Sequence, residues 1–174
     1  MPMVSKVKKD LEIFNINRKD NMEKFTVTKE VNFCAAHRLL GYDGPCSNIH
    51  GHNYQILITV QRLSLSEGRP LDSLGMVLDF KEIREFAKSW IDENLDHALI
   101  LNQEDVDLIN FFDRNRMKLY LMRGNPTAEN LAHLIKNRFH NFLQSNGNPN
   151  RLRVTKVQVF ETLTSSAEVS NADE

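Results

Sequence analysis

Between Lys24 and His37 the chain places Phe25, Val27, Val31, Phe33 and Ala35 on alternate positions, and His37 ends the run on the same parity. Period two is the pattern of a strand with one face against a core, so this segment is predicted as a half-buried strand ending in a core-facing histidine. His50 and His52 then flank Gly51, just before a second alternating run, Asn53–Leu63, with Tyr54, Ile56, Ile58 and Val60 on one parity. In a helix those two imidazoles would diverge. In extended chain they share a face, with Gly51 giving the backbone freedom to bend between them, and both can reach one ion.

Three neutral imidazoles suit zinc, and three protein ligands leave a fourth position for water or substrate, as in a catalytic site. A lone histidine is an ordinary surface or core residue. The pair His50 and His52, with His37 ending the preceding strand and Cys46 four positions before His50, is harder to explain by packing. Cys46 has two readings: a thiolate that abstracts a proton beside the cation, or a fourth ligand that closes the site. Cys34 reads as inert core inside an apolar strand.

With 174 residues one domain is the default, and a net charge of −1 provides no basic field for nucleic acid or an anionic membrane. Two cysteines are too few for a disulfide framework and fit a reducing cytoplasm. No apolar run has membrane-spanning length, and the start M-P-M-V-S-K-V-K-K-D lacks the apolar centre of a secretory signal, so a cytoplasmic location is expected.

Residues 1–23 lack a sustained period and read as an extension preceding a single domain over 24–174. After a loop over 64–73, Asp79 followed by Glu82 signals a helix start, and Phe80, Ile83, Phe86, Ala87 and Trp90 recur at helical spacing. A second helix opens at Asn125-Pro126-Thr127, with Pro126 in its first turn, and runs through Phe142. The stretch 95–124 carries no assignable period. Leu152–Phe160 alternates again, and a short last strand is expected around Ala167–Val169. The order strand, strand, helix, helix, strand, strand predicts an α+β domain, a four-stranded antiparallel sheet with two helices on one face. Its open edges predict pairing with other copies.

Other polar groups have chemical potential. In Asp96-His97 the carboxylate can fix an imidazole tautomer for proton transfer, although an Asp-His pair after a helix is commonly a cap and a surface residue. Glu161, ending the third long strand, can accept two hydrogen bonds from an amidine-like edge; otherwise it is an exposed strand-end acid. Glu129 falls in the first turn of the second helix.

Together F-C-A-A-H-R, C-S-N-I-H-G-H-N-Y, G-M-V-L-D-F, L-D-H-A-L, N-P-T-A-E-N and V-F-E-T, in this order between Lys24 and Glu161, resemble the 6-pyruvoyl-tetrahydropterin and 6-carboxytetrahydropterin synthase family. The resemblance implies the tunnelling fold, in which strand edges pair into a trimeric barrel, two trimers commonly stack into a hexamer, and active sites lie between subunits. It implies Zn2+ held by His37, His50 and His52, proton transfer by Cys46, Asp96 and His97, and a pterin ring anchored by Glu161 with Thr127 and Glu129 nearby. The implied substrate is 7,8-dihydroneopterin triphosphate, with no redox cofactor.

Two branches share these motifs. One gives 6-pyruvoyl-tetrahydropterin; the other gives 6-carboxy-5,6,7,8-tetrahydropterin and acetaldehyde on the 7-deazaguanine and queuosine route. The short interval from Cys46 to His50 resembles the carboxy-forming branch. A zinc-containing pterin-binding protein without turnover is the alternative from a different class. Ala128, where the family often has Ser or Thr, and the long stretch 103–124 depart from the pattern. Arg38, beside His37, is a candidate for the triphosphate.

Overall fold

The computed structural model describes residues 24–63, 71–147 and 151–171. The expected extension over 1–23 and most of the loop over 64–73 lie outside these residues. The first alternating run forms β1 (Thr26–His37), and the second forms β2, which begins at His50 and ends at Arg62. His50 and His52 are therefore inside the strand rather than ahead of it. The two strands are antiparallel, from Thr26 opposite Gln61 to His37 opposite His50. Gly51 makes no bend there. It permits close approach, since a Cβ at this position would lie 3.0 Å from the carbonyl oxygen of Ala35.

The third long strand is β5 (Leu152–Thr162), antiparallel to β2, and β6 (Ser165–Ser170) pairs antiparallel with β5. In β5 the buried positions change parity, from Leu152 and Val154 to Val157 and Val159, because the register against β2 shifts between Thr59 and Val60. This bulge lets both halves of β5 face the same core.

All four expected strands are present, and the sheet has two more. β3 (Ala98–Asn102) pairs parallel with the end of β1, and β4 (Leu119–Met122) pairs parallel with β3. The sheet is thus six-stranded and mixed, in the order β4-β3-β1-β2-β5-β6, rather than four-stranded and antiparallel. The unassigned stretch supplies β3, β4 and, between them, helix α2 (Val106–Arg114). All five residues of β3 are buried, so it carries no alternation.

Helix α1 (Phe80–Phe86) starts where Asp79 accepts a hydrogen bond from the Lys81 amide at 2.8 Å. It continues through a π-helical segment, Ala87–Ile91, into a last turn, Asp92–Asn94. Helix α3 (Ala128–Ser145) is capped by Thr127, which accepts from the Asn130 amide. Pro126 therefore precedes the cap instead of occupying the first turn. Ile83 and Phe86 of α1 and Leu131, Ile135 and Phe139 of α3 share one core with Phe33, Ile56, Ile58, Val157 and Val159 of the sheet. The rings of Phe86 and Phe139 approach to 4.7 Å between centroids. Even-numbered β1 residues such as Thr28, Glu30 and Asn32 face the other side of the sheet and are exposed.

Phe139 is fully buried where α1, α3 and the sheet meet. Phe139→Ala should cost about 3–5 kcal/mol of unfolding free energy by removing apolar burial and leaving a cavity. Urea titration checks it; a loss below about 1 kcal/mol would contradict this packing.

Candidate active site

The β1–β2 register fixes the histidine geometry. His37 is cross-strand from His50, and Ala35 is cross-strand from His52. Ring centroids lie 4.5 Å apart for His37 and His50, and 5.1 Å apart for the other two pairs. One candidate ligand atom from each residue lies within 4.8 Å of those of the other two. The expected trio does converge.

Hydrogen bonding orients these rings. His37 Nδ1 lies 2.7 Å from the carbonyl oxygen of Pro126, and His50 Nδ1 lies 2.9 Å from that of Asn48. A carbonyl only accepts, so each Nδ1 carries the proton and each Nε2 presents a lone pair. The two Nε2 atoms are 3.1 Å apart. His52 Nε2 is buried without a hydrogen-bond partner among the described residues. Converging lone pairs and an orphaned buried ring nitrogen fit a cation, with outer hydrogen bonds of the kind that orient metal-bound imidazoles. Burial lowers the pKa of His37 to about 4, against the favourable Pro126 hydrogen bond, so the ring is neutral at pH 7. Among the described residues the cluster comprises these three histidines, without Cys46. That arrangement does not match the closed four-ligand reading.

Cys46 is half-buried in a one-turn 3-10 helix, Pro45–Ser47, between β1 and β2. Its carbonyl accepts from the Leu39 amide at 2.8 Å, tying this turn to the segment after His37. Asp96 and His97 follow the last turn, Asp92–Asn94, at whose end the Ile91 carbonyl accepts from the Leu95 amide at 2.8 Å and the Asp96 amide at 2.9 Å. His97 adopts φ 57°, a left-handed conformation uncommon for a side chain of this size. Its Nδ1 donates to Asp96 Oδ2 at 2.7 Å, while Asp96 Oδ1 accepts from the Cys34 amide at 2.9 Å. Burial pushes the Asp96 pKa up, but the Cys34 amide, His97 and Lys118 outweigh it and hold the carboxyl below its ordinary range. Asp96 thereby orients His97 as expected.

Among the described residues, the two halves of the predicted proton-transfer set share neither a hydrogen bond nor a cleft. His97 is largely exposed and lines an open cleft of about 620 Å³ with Cys34, Asn53, Phe112, Met117 and Lys118, which His52 of the histidine trio also lines. Cys46 does not line this cleft, and among the described residues no hydrogen bond joins it to Asp96 or His97. Cys34 differs from its reading as core. It lies on the even parity of β1, is exposed, and its thiol donates to Asn53 Oδ1 at 3.1 Å.

Glu161 is half-buried near the end of β5, one step along the ladder from the Gln55–Phe160 pair and hence beside Tyr54. Burial, followed by the charge of Glu161, raises the Tyr54 phenol above its ordinary range. Thr127 spends its hydroxyl on capping α3, and Glu129 is exposed in the first turn. Arg38 is already engaged: its Nε and Nη2 donate to the two carboxylate oxygens of buried Asp105, both at 2.6 Å. That bidentate pair accounts for Arg38 without a triphosphate.

Sequence reasoning missed the groups behind the ligands. Asn125 Oδ1 accepts from the Leu40 amide at 2.8 Å, and its Nδ2 donates to the Leu40 carbonyl at 2.9 Å. This pair of hydrogen bonds latches the segment after His37 to the start of α3, where the Pro126 carbonyl accepts the hydrogen bond from His37 Nδ1. The only linear signal is Asn125-Pro126-Thr127 as a helix opening, which does not reveal a contact with Leu40. The parity of His50 and His52 marks Tyr54 as a core residue, but nothing in it signals that the Tyr54 hydroxyl has no partner among the described residues.

The 6-pyruvoyl tetrahydropterin synthase family model matches residues 26–172. A 6-carboxy-5,6,7,8-tetrahydropterin synthase of Rickettsia bellii is 38% identical over 137 residues, 78% of this chain and 92% of the relative. The Haemophilus influenzae protein of that name is 29% identical over 147 residues, 83% of this chain and 97% of that one. The Caenorhabditis elegans 6-pyruvoyl tetrahydropterin synthase structure superposes with a TM-score of 0.58 at 22% identity, covering 87% of this chain and 98% of that one. The fold is the tunnelling fold of these synthases, and the chain belongs to the 6-pyruvoyl tetrahydropterin synthase family.

His37 supplies a pH prediction for the metal-free chain. Its folded pKa of about 4 lies below the ordinary 6.5, so its contribution is fully present above pH 6.5 and lost as pH falls through 4. The loss should reach roughly 3 kcal/mol. Urea titrations in chelator from pH 7 to pH 4 check it, with His37→Asn as control; equal acid sensitivity in both proteins would refute it.

Proposed function

We propose that this chain is a zinc-dependent lyase, a 6-carboxy-5,6,7,8-tetrahydropterin synthase. It converts 7,8-dihydroneopterin triphosphate and one water to 6-carboxy-5,6,7,8-tetrahydropterin, releasing acetaldehyde and triphosphate. The observation that carries this reading is the convergence of the His37, His50 and His52 lone pairs in a chain 38% identical to a relative of that name. The short interval Cys46–His50 agrees with it.

His37, His50 and His52 would hold the zinc, which when bound supplies a Lewis acid that acidifies hydroxyl groups of the substrate side chain. Cys46, as thiolate, takes a carbon-bound proton. His97, fixed by Asp96, relays protons through its free Nε2. Glu161 accepts two hydrogen bonds from the amidine edge of the pterin, with Thr127 and Glu129 flanking the ring. Cys46 shares neither a hydrogen bond nor a cleft with the Asp96–His97 pair among the described residues, which supports a working site that combines residues from two copies. The sheet's open edges, β4 and β6, are where copies would pair into a trimeric barrel, with a hexamer formed by stacking. The chain then acts in the cytoplasm as one catalytic domain over 24–174, preceded by the 1–23 extension.

Mass analysis after incubation with dihydroneopterin triphosphate tests the reading. The carboxy product with acetaldehyde supports it; the pyruvoyl product assigns the other branch, and no new pterin leaves a binding protein. Cys46→Ala should retain zinc and lower turnover by about 10²–10⁴-fold. Loss of zinc from that variant, by metal analysis, would instead make Cys46 a ligand.

A further inference from the structure

Two buried side-chain polar atoms have no hydrogen-bond partner among the described residues, His52 Nε2 and the Tyr54 hydroxyl. A bound cation accounts for the first. It does not account for the second, because a neutral phenol is a poor ligand beside three imidazoles and keeps its proton at neutral pH.

Tyr54 is two residues beyond His52 on the same face of β2 and is fully buried. Its ring is stacked on Phe33 at 4.9 Å and stands edge-on to His52 at 5.5 Å and His37 at 6.0 Å. Across the sheet it adjoins Glu161, the next position on the ladder after the Gln55–Phe160 pair. The Tyr54 side chain therefore lies between the histidine cluster and the strand position of the carboxylate that would hold the ring edge of the ligand. A buried hydroxyl left unpaired is destabilising, and a phenylalanine would fill the same stacked position without that penalty.

We propose that Tyr54 is a substrate-contacting residue whose hydroxyl donates a hydrogen bond to the part of the pterin joining the ring held by Glu161 to the side chain held at the histidines. This rests on the pterin synthase reading and extends it to a residue that the motif-based assignment left out. The bond forms only when the ligand is bound, so the group raises specificity for a ligand carrying an acceptor at that point.

Tyr54→Phe removes only the oxygen and keeps the stack on Phe33. Three measurements on zinc-loaded wild type and variant test the proposal: thermal midpoint, zinc affinity by chelator competition, and affinity for 7,8-dihydroneopterin by fluorescence titration. The expected result is an unchanged or higher midpoint, zinc affinity within about twofold, and dihydroneopterin affinity lowered about tenfold. Equal ligand affinity in the two proteins would overturn the proposal and leave the synthase reading intact. A lower midpoint or weaker zinc binding in the variant would also overturn it, by giving the hydroxyl a structural partner. Failure of wild type to bind dihydroneopterin would remove the synthase reading, and this proposal with it.

Discussion

The antiparallel register between β1 and β2 is the constraint on which the site depends. It sets His37 opposite His50 and brings His52 onto the same face. A slip of one residue would send one strand's side chains to the other side of the sheet and separate His37 from its partners. The register is secured along the strands by Val31, Phe33 and Ala35 on one side and Tyr54, Ile56, Ile58 and Val60 on the other, all on the face that packs against the helices. The core and the histidine cluster are therefore fixed by the same alternation. Gly51 contributes by leaving room for the Ala35 carbonyl.

A second set of constraints acts through backbone carbonyls. The start of α3 holds His37 through Pro126 and the segment after it through Asn125. The Leu39 amide passes that restraint to the turn bearing Cys46. On the other side, the buried Asp105 carboxylate takes the fork of Arg38. The orientation of the imidazoles is thus determined by groups far away in sequence that are not themselves ligands.

Much of this is legible in the sequence. The long alternating strands, the two helices with their stripes of Ile83, Phe86, Ile135 and Phe139, and the shared face of the three histidines all follow from periodicity. What escaped follows from weak or absent period. β3 is buried on both faces and β4 is four residues long, so neither alternates over a readable window. The parity change in β5 blurred its core face, since one bulge serves both halves of the strand. Cys34 reads as core because its neighbours are apolar, yet its own parity places it with exposed Asn32 and Glu30.

The sequence alone determined the histidine trio, the α+β class and the family, because each rests on local spacing or on a set of short motifs. Only the tertiary structure decided that Arg38 is committed to Asp105, that Asn125 grips Leu40, and that His97 lines a cleft that Cys46 does not line. These are relations between segments some 50 to 90 residues apart, brought together by strand pairing and helix packing. No local periodicity encodes such distances. They emerge when burial of one sheet face fixes which loops and helix ends must share space.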